Sequence, residues 1–394
     1  MTRPTPLAGV RVLDLSRVLA GPWAGQLLAD YGADVIKVER PGGGDDTREW
    51  GPPWWGDADD KMAAYYLSAN RGKRSIAIDL ATADGASLVR KLAAHADVLL
   101  ENYKVGQLAK YGLDHATLSR LNPRLIYCSI TGYGQDGPYA AAAGYDFAIQ
   151  ATGGLMSVTG ERDGTPGAGP QKVGVAVADL FTGLYATTAI LAALQERHRT
   201  GRGRWIDAAL LDTQLAMLAN QASNYLVGGN TPKRMGNAHV NVVPYQVFKT
   251  QDGHIVLAVG NDGQFQRFCK VVGLDALVSD PDFATNPARV TNRAPLREQI
   301  VAALAGWERD RLLPLLDAAA VPASPINDIA QTFQDPQVVA RGMRMDLDDG
   351  MGNTLPSVRA PMLMSGTPLE YNRPSPRLGQ HTDEILAELE KSKK

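Results

Sequence analysis

The chain has 394 residues, with 40 Lys and Arg against 42 Asp and Glu for a formal net charge of -2. That length predicts two or three domains with a large core, and 44% hydrophobic with 21% charged residues excludes an intrinsically disordered chain. A near-neutral balance with no long basic run gives no footprint for nucleic acid and leaves a small molecule as the expected partner. Cys128 and Cys269 are too few for a disulfide framework or a Cys-based zinc site and suit a reducing compartment. The first residues show neither an apolar signal core nor an Arg/Ser-rich amphipathic pattern, so the chain reads as cytoplasmic.

From the start, short β-branched runs alternate with helical stretches, the pattern of a parallel sheet covered on both faces. Strands are predicted at residues 10–15, 34–39, 75–79, 97–101 and 125–130, with helices such as 23–30 and 83–95 between them. The fold class is therefore α/β, a doubly wound, Rossmann-like large domain, whose ligands sit outside the carboxyl ends of the strands. Residues 173–194 carry a single charge, Asp179, and are long enough to cross a bilayer. Their Ala, Gly and Thr content suits close packing against protein, and an Asp at membrane depth costs about 3 kcal/mol, so a buried helix is expected and no membrane partner.

Residues 201–203 stop that helix, 205–209 fit one more strand, and 210–226 form an amphipathic helix. Residues 245–250 and 254–259 flank Gln251-Asp252-Gly253 as a β-hairpin, and helices follow to about residue 316, giving a smaller α+β domain. Residues 321–326, with Pro322 and Pro325, read as a linker; 343–347 and the turn at 350–353 lead back to the large domain, and 382–391 form a final helix. The expected organisation is a large domain beginning at 1–205, a linker helix at 206–228, a small domain at 229–320, a linker at 321–345 and a return to the large domain at 346–394.

The first strand-to-helix turn, Ala20-Gly21-Pro22-Trp23-Ala24-Gly25, lacks the G-x-G-x-x-G spacing of a dinucleotide site. Glu39, at the end of the second strand, is weak support for a ribose contact without those glycines. Arg40 at the same edge suits a base or a phosphate, or is a solvated loop arginine. Asn70-Arg71-Gly72-Lys73-Arg74 precedes its strand and is expected to be a solvated or inter-subunit patch. Asp179 has two readings. It is an N-cap of the Ala-rich helix, or a nucleophilic carboxylate whose ionised form the helix N-terminus favours. Asp146 is the second buried-looking carboxylate. The six histidines show no metal-binding spacing, and no Gly-x-Ser-x-Gly elbow or P-loop occurs, so no metal is expected.

Several runs together resemble a known family. They include residues 13–22 and 32–41, Gly44-Asp45-Asp46-Thr47-Arg48, Glu101-Asn102-Tyr103, Ser129-Ile130-Thr131-Gly132-Tyr133-Gly134 and Ala143-Gly144-Tyr145-Asp146. Residues 173–183 around Asp179 and Leu378-Gly379-Gln380-His381-Thr382 extend the likeness over nearly the whole chain. These runs are similar to the family III CoA-transferases, the formyl-CoA and carnitine CoA-transferase group. The resemblance implies an interlocked homodimer and a nucleophilic aspartate at Asp179, which favours that reading over the cap. It implies chemistry through aspartyl anhydride and aspartyl-CoA thioester intermediates, with a coenzyme A thioester as substrate and no permanently bound cofactor. By motif matching, it implies CoA contacts at Arg17, Val18, Arg40, Ile78, Asn102, Tyr103, Lys110 and Tyr145. Lys73 and Arg74 match the pattern without being assigned to the ligand.

Departures narrow the reading. Formyl-CoA transferases carry Gln where Leu19 stands and a glycine-rich loop at residues 236–241. Related racemases carry His at Tyr145, and tyrosine is a poor general base near neutral pH. Residues 50–53, 127–129, 224–226 and 243–250 look most like the succinyl-CoA:glutarate (hydroxymethylglutarate) branch. The resemblance therefore implies transfer of CoA from an acyl-CoA, most simply succinyl-CoA, to a dicarboxylate of the glutarate, hydroxymethylglutarate or itaconate type. A distal carboxylate needs a cation or hydrogen-bond donor. Arg48, Arg234, His239 and Asn241 are the candidates, each with a solvated-loop alternative. A 2-methylacyl-CoA racemase and a catalytically silent CoA-binding paralogue stay open.

Overall fold

In the computed structural model, which describes residues 5–56, 60–366, 369, 371 and 373–391, the chain divides into two units. The larger comprises residues 1–155, 172–230 and 336–394, and the smaller 156–171 and 231–335.

In the larger unit, runs of Val, Ile and Leu form six parallel strands: β1 (Arg11–Asp14), β2 (Asp34–Glu39), β3 (Lys73–Ala77), β4 (Val98–Glu101), β5 (Ile126–Thr131) and β6 (Trp205–Ala209). Their order, β3-β2-β1-β4-β5-β6, reverses direction of growth after β1, the doubly wound pattern whose switch point opens a crevice between β1 and β4. The sheet is apolar on both faces because successive side chains point to opposite sides. Val12, Val35, Val98 and Cys128 pack on one face under α1 (Ala20–Asp30) and the long helix at Val177–Thr200. Leu13, Ile36, Leu99 and Tyr127 pack on the other, with Val89 and Leu92 of α2 (Ala83–Ala94) and Ile385 and Leu389 of the last helix, Thr382–Lys391.

Two further helices position the site: α3 (Asp146–Thr152) and α4, the long helix Val177–Thr200. Among the described residues α4 is the one helix long and apolar enough to cross a membrane, and it lies against α1, β5 and β6. The amphipathic helix expected at 210–226 is two helices, Leu210–Met217 and Asn220–Gly228, parted at Ala219, whose φ is 44°.

The smaller unit has its own core, in which Phe248, Ile255, Leu257, Phe265, Phe268, Leu296 and Leu312 are buried. The expected hairpin is β7 (Tyr245–Lys249) and β8 (His254–Ala258). The segment expected as a linker at 321–326 instead contributes β9 (Ala323–Pro325), antiparallel to β8 at the sheet edge, where proline's missing N–H costs no ladder bond. Nothing in the sequence pattern signalled that residues 156–171 join this unit. In the larger unit the returning chain forms a hairpin of Arg344–Asp348 and Thr354–Val358.

The basic cluster is the clearest departure from expectation. Asn70, Arg71, Lys73 and Arg74 are all buried, because each cation meets carboxylates from elsewhere in the fold. Arg71 forms a two-point ion pair with Asp30, Arg74 pairs with Asp34, Glu384 and Glu388, and Lys73 Nζ lies 2.9 Å from Asp14.

Candidate active site

A cleft of about 220 Å3 opens at the carboxyl ends of β1, β4 and β5. Its walls include Arg17 and Val18 after β1, Asn102 and Tyr103 after β4, and Tyr145 and Asp179. An adjoining cleft of about 330 Å3 shares Arg17, Tyr103 and Gln107 with it and adds Arg40 after β2 and Ile78 after β3. Lys110 lines neither, but its ammonium sits 4.7 Å from the centroid of the Tyr111 ring, which lines the second cleft.

The loops are held by side chains. Asn102 accepts the Arg17 N–H at 2.9 Å and donates to the Arg17 carbonyl at 2.7 Å, and the Arg17 guanidinium pairs with Asp46 at 2.9 Å. The buried Glu101 accepts the Tyr103 N–H at 2.8 Å, and burial pushes its carboxyl up to about 7. After β5 the chain passes close to the segment before Tyr145: a Cβ on Gly132 would lie 2.5 Å from Gly144 Cα, so only glycine permits these two cleft-lining loops to touch.

Helix α4 begins at Val177 with Ala176 as its cap residue, and Ala176 makes no side-chain cap bond. Asp179 is thus inside the first turn, and the N-cap reading is overturned. The capping role falls to Asp146 across the fold: its Oδ1 accepts the backbone N–H of Ala178 at 2.8 Å and of Asp179 at 3.4 Å, while Oδ2 accepts from Gln150 Nε2 at 2.7 Å. The helix N-terminus therefore stabilises Asp146, and its charge faces Asp179. Burial first, and then Asp146, push the Asp179 carboxyl up from 3.8 to about 7. The expectation that the helix end would favour an ionised Asp179 is reversed by these two effects.

Tyr65 was missed by sequence reasoning. Burial first and then the charges of Asp179 and Asp146 raise its phenol. Trp50 packs edge-on against it at 5.0 Å between ring centroids. The only sequence signal was a cluster of aromatic residues between β2 and β3.

The residues predicted for the acceptor acid are divided between the two units. Arg48 is engaged inside the larger unit. Its Nε and Nη2 donate to Glu39 at 2.8 and 2.7 Å, Nη2 also reaches Tyr66 and the Pro376 carbonyl, and the guanidinium lies 3.8 Å from the Tyr66 ring centroid. It ties Glu39 into the fold and is withdrawn as a carboxylate receptor; the same bonds occupy Glu39. Arg234, His239 and Asn241 belong to the smaller unit. Arg234 pairs with Asp163, and its Nε is buried with no partner among the described residues. His239 Nδ1 accepts the Asn241 N–H at 3.1 Å, and its ring packs on Tyr245. Among the described residues no group of three or more His, Cys, Asp or Glu is arranged to hold a metal ion.

The arrangement is a desolvated carboxylate in a cleft at the switch point of a doubly wound sheet. The sequence profile of CoA-transferase family III matches residues 7–382. The chain belongs to CoA-transferase family III. Two relatives match nearly all of this chain. Succinate–glutarate CoA-transferase of Agrobacterium fabrum is 56% identical over 390 residues, covering 98% of this chain and 96% of that protein. Succinyl-CoA:glutarate CoA-transferase of Homo sapiens is 44% identical over 390 residues, covering 99% and 87%. A crystal structure of a CAIB/BAIF family protein from Brucella suis superposes with a TM-score of 0.86 at 52% identity, covering 98% of this chain and 100% of that one. The family places a coenzyme A thioester among the substrates, and the enzyme is a CoA-transferase.

Proposed function

We propose that this family III enzyme transfers CoA from succinyl-CoA to glutarate or a dicarboxylate of similar length, with Asp179 as the nucleophile. The substrate reading is carried by one observation, the 56% full-length identity to the Agrobacterium succinate–glutarate CoA-transferase. The position of Asp179 on the cleft wall supports its role.

The Asp179 carboxylate attacks the succinyl-CoA carbonyl and expels CoA thiolate, leaving a succinyl–aspartyl anhydride. The thiolate then attacks the aspartyl carbonyl, releasing succinate and forming an aspartyl-CoA thioester. Glutarate attacks that thioester, giving a glutaryl–aspartyl anhydride and thiolate again. Attack of the thiolate on the glutaryl carbonyl yields glutaryl-CoA and restores Asp179. Every intermediate keeps an activated acyl group, so exclusion of water is the condition for transfer over hydrolysis. The raised affinity of Asp179 for its proton suits the task, because a desolvated carboxylate of higher basicity is the better nucleophile once ionised.

The adjoining clefts form a continuous path in which Arg40 and Ile78 hold the nucleotide end of CoA, Asn102 and Tyr103 its middle, and Val18 and Tyr145 the thioester end. Lys110 flanks the path and supplies charge for phosphate. The distal carboxylate of the acceptor needs a cation or a hydrogen-bond donor, and Arg234, His239 and Asn241 are the candidates the sequence supplies. In this proposal the larger unit binds CoA. No permanently bound cofactor and no metal take part.

The apolar side chains exposed on α4, Phe181 at 41% and Tyr185 at 52%, and on the helix Asn220–Gly228, Leu226 at 78%, support burial against a second copy, and the assembly is read as an interlocked homodimer. The test of function is incubation with succinyl-CoA and glutarate, hydroxymethylglutarate, itaconate or malate. New acyl-CoA is expected with glutarate or its near relatives. Deuterium uptake at carbon 2 of a 2-methylacyl-CoA, without transfer, would instead establish a racemase.

A further inference from the structure

Val18 sits on the cleft wall with φ 70°, the left-handed region that a β-branched residue enters only at a cost. Such a conformation persists where the surroundings over-determine it. Here the two peptide groups that precede it are held at both ends. Lys37 Nζ donates to the Ser16 carbonyl at 2.8 Å, Asn102 grips Arg17 at both its N–H and its carbonyl, and Asp45 Oδ1 accepts the Val18 N–H at 3.2 Å. Asp45 is itself fixed. Its Oδ1 also accepts the Thr47 N–H and hydroxyl at 3.0 and 2.8 Å, and its Oδ2 lies 2.8 Å from Lys37 Nζ. Lys37 and Asp45 are essentially inaccessible to solvent, with side-chain exposures of 1% and 0%.

A buried ion pair of this kind gives little net stability compared with apolar residues of the same size, so its presence calls for another reason. Lys37 holds two parts of this loop at once, the Ser16 carbonyl directly and the Val18 N–H through Asp45. Neither residue lines the cleft that holds Val18 and Asp179, although both line the adjoining one. We propose that the buried Lys37–Asp45 pair is a positioning device that keeps Val18 in its left-handed conformation and thereby shapes the thioester end of the cleft. The inference rests on the reading of this cleft as the CoA site.

The experiment measures CoA binding by calorimetry on the full chain for wild type, Lys37→Met, Val18→Gly and the double variant. Glycine adopts the left-handed conformation without strain, so it removes the need for the clamp. Lys37→Met is expected to weaken CoA binding about tenfold in the native background, equivalent to about 1.4 kcal/mol. In the Val18→Gly background the same change is expected to cost less than about threefold, within the strain cost of the native residue. Equal loss in both backgrounds, or no loss in either, overturns the proposal. Should Lys37→Met fail to fold, the charge-neutral pair Lys37→Met/Asp45→Asn replaces it in the same cycle, with the same two outcomes. A wild-type chain that does not bind CoA would sink the reading of the cleft itself. Binding by wild type without rescue by glycine sinks only the role of Lys37.

Discussion

Replacing Asp146 by Asn separates the two things that carboxylate does. The amide oxygen still accepts the Ala178 N–H, so the cap on α4 survives, but the negative charge facing Asp179 is gone. At an effective dielectric of about 20, two carboxylates on the order of 6 Å apart repel by ~3 kcal/mol. Asp146 is partly exposed, and screening reduces this to about 1.4 kcal/mol, or one pH unit in the ionisation of Asp179. Burial, the larger cause, is untouched, so the carboxyl remains above its ordinary value. The nucleophile must be ionised, and activity therefore rises with pH through the Asp179 midpoint, near 7 in the native enzyme. In Asp146→Asn the acid limb of kcat/KM for succinyl-CoA is expected to move down by about one pH unit, which at pH 6 raises the ionised fraction about fivefold. Above pH 8 the order reverses, since the less basic carboxylate attacks a few-fold more slowly. The new amide also faces the Gln150 Nε2 donor, which costs stability by about 1 kcal/mol. The assay is a pH series of initial rates with both proteins confirmed folded. A limb that stays in place, or moves up, refutes the electrostatic account of Asp179.

Other outcomes follow from the same structure. Gly183→Ala puts a Cβ 2.7 Å from the Ala20 carbonyl where α4 crosses α1, and the thermal midpoint is expected to fall by the equivalent of about 1–3 kcal/mol. Arg48→Met leaves Glu39 buried without its two-point partner, and a loss of about 3–5 kcal/mol in denaturant unfolding is expected with no selective rise in KM for glutarate. Asp179→Asn should stabilise the fold, and more so at pH 8 than at pH 5. The folded carboxyl titrates near 7 and the unfolded one near 3.8, so the penalty of the native charge grows between those values and is complete above 7. The difference between the two conditions is about 3 kcal/mol, read from melting curves at both.

The sheet was legible because its signal is local. The strands at Asp34–Glu39 and Trp205–Ala209 and the helix at Thr382–Lys391 fall where hydrophobic pattern and turn residues put them. The carboxyl-edge rule directed attention to the strand ends, and the family resemblance named the residues there, Arg17 and Asn102 among them, that line the cleft. What stayed hidden depends on partners distant in sequence. Lys73 and Arg74 looked solvated because a basic run signals exposure, while Asp14 lies 59 residues from Lys73 and Glu388 lies 314 from Arg74. The proton affinity of Asp179 was misread for the same reason: a helix start is visible in sequence, but Asp146, 33 residues earlier, taking its N–H groups is not. Prolines at 322 and 325 masked β9, since their usual meaning is a break and only an edge position in the sheet excuses them. Val18 carries no signal at all, because a strained backbone is imposed by its surroundings.

The central claim is that Asp179 carries the acyl and CoA groups between succinyl-CoA and a dicarboxylate. The most direct measurement is formation of glutaryl-CoA from succinyl-CoA and glutarate by wild type and by Asp179→Ala, with folding of both checked by melting. The account predicts product from wild type and none above background from Asp179→Ala. Undiminished transfer by Asp179→Ala would contradict the nucleophile, and a wild-type chain that transfers to neither glutarate, hydroxymethylglutarate nor itaconate would contradict the substrate reading.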